Sequence, residues 1–354
     1  MTPSSESFTP INQIGEFGLI DRLRDVLAAA SDTPEALIQG IGDDAAVYRV
    51  GDGRVHVVTT DALVEGVHFD RTFTPMRYLG WKAVATNVSD VVAMNAQPRY
   101  ATVALALPNS VSVEQAEALY GGMAEACQRY GLSVVGGDVT AAARLTLSVT
   151  VIGEAEESAV VYRRGAQVGD LLCVTGDLGS AAAGLKVLLA GKQGFEAGGD
   201  GESEAAAQPN LTDFAYAVER QLYPQARLDR IRHWAEVGVR PRALIDISDG
   251  LASEVHHLAN ASGHGAVIEA GLLPIHVQTF KAAERFEEAP LSLALYGGED
   301  YELLFAIPES EKDKMDANTF AVVGQVVEAD AGVTLRMPEG EVIPLEARGF
   351  DHFG

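Results

Sequence analysis

Six short acidic segments between residues 42 and 302 hold the residue types best suited to chemistry. They read Gly42-Asp43-Asp44-Ala45, Thr59-Thr60-Asp61, Asn87-Val88-Ser89-Asp90, Gly136-Gly137-Asp138, Asp246-Ile247-Ser248-Asp249-Gly250 and Gly297-Gly298-Glu299-Asp300-Tyr301-Glu302. Almost no Lys or Arg lies beside them in the chain. Two carboxylates held about 4 Å apart repel by about 4 kcal/mol at an effective dielectric near 20. Segments of this kind can converge only around positive charge, and their oxygen-only donors suit Mg²⁺ or Ca²⁺. The chemistry they point to is a metal-nucleotide site. Taken singly, each acid has a plainer explanation, since Asp before a helix is commonly an N-cap and Asp-Gly a turn. The inference rests on the conjunction of six, each beside Gly, Ser or Thr and each placed at the end of an element, where side chains project into clefts.

The missing motifs narrow the class. The pair Gly191-Lys192 is followed by Gln193, so there is no Gly-x4-Gly-Lys-Ser/Thr phosphate loop. No Gly-x-Gly-x-x-Gly fingerprint, His-Glu-x-x-His or paired-Cys motif occurs. Phosphate contacts therefore fall to metals, backbone amides and isolated arginines, of which Arg163 and Arg164 are the candidates.

The elements that must position these acids alternate between helix and strand. Phe17, Ile20, Leu23 and Leu27 are spaced for one helix face, which Ser31-Asp32-Thr33-Pro34 ends. Residues 55–61 read as a strand with Asp61 at its end, and 76–95 as a helix on which Asn87 and Asp90 share a face. A strand at 101–107 leads to a helix opened by the capping-box pattern Ser112-x-x-Gln115, with Ala116, Leu119, Met123, Cys127 and Tyr130 on its buried side. Strands near 133–136 and 145–153 follow, with Gly136-Gly137-Asp138 expected at the turn between them. The second half reads as a strand at Leu171–Thr175, helices near 179–190, 211–222 and 226–237, a strand at Ala243–Ile247, a helix after Gly250, and strands near 265–270, 301–307 and 320–328. Gly191–Asn210, rich in Gly, Ala, Glu and Gln, is expected to be a mobile loop. The pattern is that of a mixed α/β (α+β) protein of two domains, 1–155 and 156–354.

Composition bounds the partners. The 50 acidic against 26 basic residues give a net charge of −24, which disfavours nucleic acid and anionic membranes. No stretch approaches the roughly 18 apolar residues of a membrane span, and Met1–Pro10 lacks the pattern of a signal peptide, so a cytoplasmic protein is expected. Cys127 and Cys173 each sit in an apolar run and read as free thiols.

Read together, the segments resemble the thiamine-monophosphate kinases, members of the ATP-binding superfamily that includes aminoimidazole ribonucleotide synthetase and selenophosphate synthetase. The most specific stretch is Thr59-Thr60-Asp61-Ala62-Leu63-Val64-Glu65-Gly66-Val67-His68-Phe69. It is supported by Gly40–Ala46, Asn87–Pro98, Asp246–Leu251, Gly297–Phe305 and Gly349–Phe353. The resemblance runs from about Gly15 to Phe353, nearly the whole chain. No Cys precedes Cys127, as selenophosphate synthetase would require near its N-terminus, and the chain ends in Gly354 where the hydrogenase-maturation relative ends in Cys.

The resemblance implies transfer of the ATP γ-phosphoryl group to thiamine monophosphate, giving thiamine diphosphate, by direct metal-assisted transfer without a catalytic side chain. Asp44, Thr59, Thr60, Asp61, Asp90, Asp138, Asp246 and Asp249 would hold several Mg²⁺ ions around the triphosphate. Gly137, Asp138, Arg163 and Ser248 would meet ATP, with Tyr120 near the adenine, while His68, Glu299 and Phe350 would line the thiamine side. An acidic, aromatic pocket suits a cationic thiazolium. The N-terminal half would supply a homodimer interface of barrel-like sheets, with the ATP cleft between the two halves. Two departures stand out: Asp138 is followed by Val139-Thr140-Ala141 where the family commonly has Thr and then a basic residue, and the insertion 191–210 is long. The alternatives are a synthetase of the aminoimidazole ribonucleotide type and a non-catalytic divalent-metal-binding module.

Overall fold

The computed structural model describes residues 9–30, 33–197 and 211–349. Its first half contains α1 (Gly15–Ala30), β1 (Leu37–Gln39), β2 (Ala46–Gly51), β3 (Arg54–Val64), α2 (Met76–Ala93), β4 (Gln97–Leu107), α3 (Val113–Tyr130), β5 (Ser133–Ala141) and β6 (Thr146–Glu156). The strands form one sheet in the order β1-β2-β3-β6-β4-β5, parallel only between β4 and β5. Alternation along the strands sorts the faces: Val57, Leu63, Val103, Leu105, Leu147, Val149 and Val151 are buried, while Thr60, Thr102 and Ala104 face outward.

The second half contains β7 (Leu171–Val174), α4 (Ser180–Ala197), α5 (Ala215–Leu222), α6 (Leu228–Val237), β8 (Ala243–Ile247), α7 (Leu251–Ser262), β9 (Gly265–Glu269), α8 (Val277–Arg285), α9 (Pro290–Tyr296), β10 (Glu302–Ile307), β11 (Ala321–Val327), β12 (Val333–Arg336) and β13 (Val342–Pro344). Its sheet runs β13-β12-β9-β11-β7-β10-β8.

Helix α2 ties the halves together. It is buried on nearly every side, its polar residues Lys82, Thr86, Asn87 and Ser89 included. Gly80 on α2 and Gly122 on α3 let the two helices touch backbone to backbone: a Cβ at Gly80 would stand 1.9 Å from the Leu119 carbonyl oxygen, and one at Gly122 1.7 Å from that of Arg77. Trp81 faces the second half, donating from Nε1 to the Pro224 carbonyl at 2.6 Å and stacking on Tyr223 at 3.9 Å. One apolar core continues from Val57 and Val149 to Trp234, Leu303 and Phe305.

The expected helices and strands that carry the acids are present, and Ser112 caps α3 in a full capping box with Gln115. Cys127 and Cys173 are free thiols. Three expectations change. Gly136-Gly137-Asp138 is not a turn but the middle of β5, because Gly137 permits the close parallel approach to β4: a Cβ there would lie 1.9 Å from the Val103 carbonyl oxygen. Helix α4 continues to Ala197, so 191–197 are helical, and 198–210 lie outside the described residues. On α1 the apolar residues Ile20, Leu23 and Leu27 are exposed, with Leu23 at 51% and Leu27 at 58%. Strands β1, β2, β12 and β13 and helices α8 and α9 add to the elements foreseen. Among the described residues no helix is long and apolar enough to cross a membrane.

Candidate active site

Four carboxylates from three distant stretches and the β8 end converge beside α2. Thr59 and Asp61, on the inner face of β3, look toward the helix: Thr59 donates to Asp90 Oδ2 at 2.6 Å, and Asn87 Oδ1 accepts the Asp61 backbone N–H at 3.0 Å. Ser89, one residue before Asp90, donates to Asp246 Oδ2 at 2.6 Å. Asp44 receives the Arg163 guanidinium at 2.6 Å, and the Arg163 backbone N–H is shared between both oxygens of Asp43 at 3.3 Å. Arg164 turns away, stacking over the Tyr162 ring at 4.2 Å and donating to Gln39.

Crowding of like charge shows in the titration of these groups. Burial is the first cause throughout, raising Asp61 to about 6 and Asp246 to about 8. Asp90 rises well above the usual carboxylate range through burial, then through the charges of Asp61, Asp246 and Asp44. Asp44 is also raised, with Arg163 opposing, and Asp43 goes to about 6. Such shifts mark groups that want a cation. Asp44 Oδ2 is buried without a hydrogen-bond partner, an open oxygen donor. Among the described residues no three acidic, His or Cys side chains already close a ligand cage.

The Gly297–Glu302 segment divides its acids among three tasks. Glu299, at φ 67°, is held by Lys82 Nζ of α2 at 2.5 Å and by Gln221 of α5. Asp300 accepts the Gly179 N–H at 2.7 Å and caps α4. Glu302 is buried in the core and binds Thr175 at 2.6 Å, Arg220 at 2.8 Å and Arg227 at 3.2 Å. Cations absent from the local sequence are thus supplied from elsewhere in the fold. Tyr301, buried at φ 52°, lies close enough to Glu299, Asp61, Asp246 and Asp90 for their charges to add to burial in raising its phenol.

Ser248 and Asp249 occupy the turn after β8. The Ser248 carbonyl accepts the Glu299 N–H at 2.6 Å, and the Asp249 N–H is held by Glu254 at 2.9 Å. A Cβ at Gly298 would stand 2.7 Å from the Ser248 carbonyl, so Gly298 is required for this approach. His68 sits in the turn after β3, where Nδ1 accepts the Val64 N–H at 3.0 Å. Thr60 and Asp138 are not gathered with the cluster. Thr60 stands on the open face of the sheet, bonded to Thr150 at 3.0 Å, and Asp138 shares that face through the pairing of Ala62, Ser148 and Ala104. Tyr120 is 37% exposed on α3. Phe350 lies outside the described residues. Sequence reading assigned no role to Asp43, Lys82, Asn87, Ser89 and Gln221; Asp43, Asn87 and Ser89 carried a signal, being inside the Gly-Asp-Asp and Asn-Val-Ser-Asp motifs, while Lys82 and Gln221 carried none.

Comparison with known proteins fits this geometry. Residues 42–155 match the family described as AIR synthase related protein, N-terminal domain, and residues 167–336 its C-terminal domain. The chain is 35% identical to the thiamine-monophosphate kinase of Aquifex aeolicus over 97% of its own length and 99% of that protein. It is 34% identical to that of Bacillus subtilis over 89% and 93% respectively. A solved structure described as AaThiL complexed with AMPPCP and TMP superposes with a TM-score of 0.81 at 34% identity, covering 98% of this chain and 100% of that one. The chain belongs to the thiamine-monophosphate kinase family of AIR synthase related proteins.

Proposed function

We propose that this chain transfers the γ-phosphoryl group of ATP to the phosphate of thiamine monophosphate, releasing ADP and thiamine diphosphate. The observation that carries the reading is the convergence of Asp44, Asp61, Asp90 and Asp246 beside Arg163. The acceptor oxygen is already an anion, so the reaction needs charge neutralisation and in-line placement rather than a general base.

The donor set fits Mg²⁺: the side chains are hard oxygens, Asp44 carries an unpartnered one, and an ion that binds through one or two carboxylates plus phosphates does not require a closed protein cage. Asp44, Asp61, Asp90 and Asp246 would hold the ions, with Asp249 at the next turn. When bound, the metal neutralises the facing phosphates and orients them. The chain does the rest. Thr59, Asn87 and Ser89 fix Asp90, the Asp61 backbone and Asp246 in place, and Arg163 supplies a guanidinium for a phosphate oxygen. Ser248 and Gly298 bring the backbone of the two turns together, and Lys82 and Gln221 hold Glu299, which with His68 and Phe350 would meet the thiamine monophosphate.

Two copies of the chain would pair through the first sheet. β5 is exposed along its length, with Val135 at 59% and Val139 at 64% on an edge strand, an arrangement that a homodimer would cover. Asp138 and Thr60, on the open sheet face, would then act beside the partner subunit.

The test is product formation with ATP, Mg²⁺ and thiamine monophosphate, run beside unphosphorylated thiamine. Thiamine diphosphate should appear with the monophosphate alone, EDTA should stop it and Mg²⁺ should restore it. ADP release without thiamine diphosphate would refute the reading.

A further inference from the structure

Arg163 and Arg164 are adjacent, yet they serve opposite sides of the Val160–Gly165 segment. Arg163 enters the carboxylate cluster, while Arg164 lines a separate cavity of about 210 Å³ together with Tyr162, Gln167, Arg240 and Arg242. In a chain of net charge −24, three guanidinium groups on one small cavity form a local reversal of sign. Each uses one nitrogen on the protein: Arg164 on Gln39 at 2.5 Å, Arg240 on the Ser158 carbonyl, and Arg242 on Asp170 at 2.8 Å. Of these partners only Asp170 is charged, and every guanidinium keeps further N–H donors. The wall is rigid. The Tyr162 carbonyl accepts the Leu244 N–H at 3.0 Å, and Gly165 has φ +121° with room for no Cβ, which would stand 2.4 Å from the Arg242 carbonyl oxygen.

We propose that this cavity is a second anion site, distinct from the active site, that takes a phosphate group, either free or as the end of a larger molecule. Guanidinium forks match phosphate oxygens in geometry and charge. The volume lies below the roughly 300–1,000 Å³ of pockets that enclose drug-sized ligands, so it fits a phosphate rather than a whole nucleotide. The shared segment also gives bound phosphate a route to Arg163.

The experiment titrates inorganic phosphate into the full-length, metal-free protein in EDTA at fixed ionic strength, read by calorimetry and by phosphorus NMR. Without divalent ions nothing bridges phosphate to the carboxylates and Arg163 is held by Asp44, so the active site is silent. One saturable phosphate per chain is expected, weakened about tenfold or more in the R164Q/R240Q double variant. D61N should bind it as the wild type does. R164K/R240K, which keeps the charge, should retain binding, and thermal unfolding of each variant checks its fold. A second arm adds ADP to the wild-type protein: displacement of the bound phosphate identifies the end of a nucleotide as the source, and no displacement identifies free phosphate. Absence of saturable phosphate binding, or equal binding by the folded double variant, would overturn the site.

Discussion

Ser89 and Asp246 are separated by 157 residues and meet through one hydrogen bond, Ser89 Oγ to Asp246 Oδ2 at 2.6 Å. That contact joins the buried helix of the first sheet to the end of β8, the edge strand of the second sheet. It places Asp246 beside Asp90, so the site exists only when both halves are folded together. Ser89→Ala should therefore act on activity through Asp246: kcat falls about tenfold as the carboxylate loses its fixed orientation, whereas Ser89→Thr retains a donor and recovers part of the rate. Steady-state kinetics of the two variants check this, and an S89A rate equal to wild type would contradict it.

Asp61→Asn should lower kcat by about a hundredfold or more while leaving the fold intact, because a group aimed at developing phosphate charge is lost without opening a cavity. Circular dichroism and turnover measured on the same sample separate the two effects.

Arg163→Gln should raise the KM for ATP by about 10–100-fold, the value of a hydrogen bond to a charged group. Arg164→Gln should leave both kcat and KM in place, since Arg164 points away from the cluster. Equal effects from the two substitutions would contradict the assignment of roles to the neighbouring arginines.

The raised carboxylates fix a pH dependence of stability. Asp61 at about 6 and Asp246 at about 8 stay protonated in the metal-free folded protein after the unfolded chain has ionised near pH 4. Between those limits the folded state holds more protons, so stability falls as pH rises from about 4 to 8. Thermal unfolding in EDTA should show this decline, smaller in D61N, and Mg²⁺ with an ATP analogue should oppose it. Proton release on metal binding, seen as buffer-dependent calorimetric heat, is the companion signal.

Gly122→Ala should destabilise by about 1–3 kcal/mol or more, because the added methyl meets the Arg77 carbonyl rather than a movable side chain. The unfolding midpoint reports it directly.

Much of the site was legible because its acids sit in short motifs beside Ser, Thr or Gly: Asp61 after Thr59-Thr60, Asp90 after Ser89 and Asp246 before Ser248. Only Asp246 stands near the end of its element; β3 runs on past Asp61 to Val64 and α2 past Asp90 to Ala93. What was hidden depends on long-range pairing. Lys82 looked like one more helix residue until the fold set it against Glu299, and Glu302 belonged to an acidic motif until Arg220 and Arg227 enclosed it in the core. Gly136-Gly137 resembled a turn because glycine permits both a turn and a tight approach between parallel strands; only the position of β4 decides between them. Asp138 went with it, to the open face of the sheet.

The most direct measurement is anomalous diffraction from crystals grown with Mn²⁺, a non-hydrolysable ATP analogue and thiamine monophosphate. Metal peaks should lie among Asp44, Asp61, Asp90 and Asp246, bridged to the nucleotide phosphates beside Arg163. Bound nucleotide with no metal among these carboxylates, or metal held only elsewhere on the chain, would contradict the account.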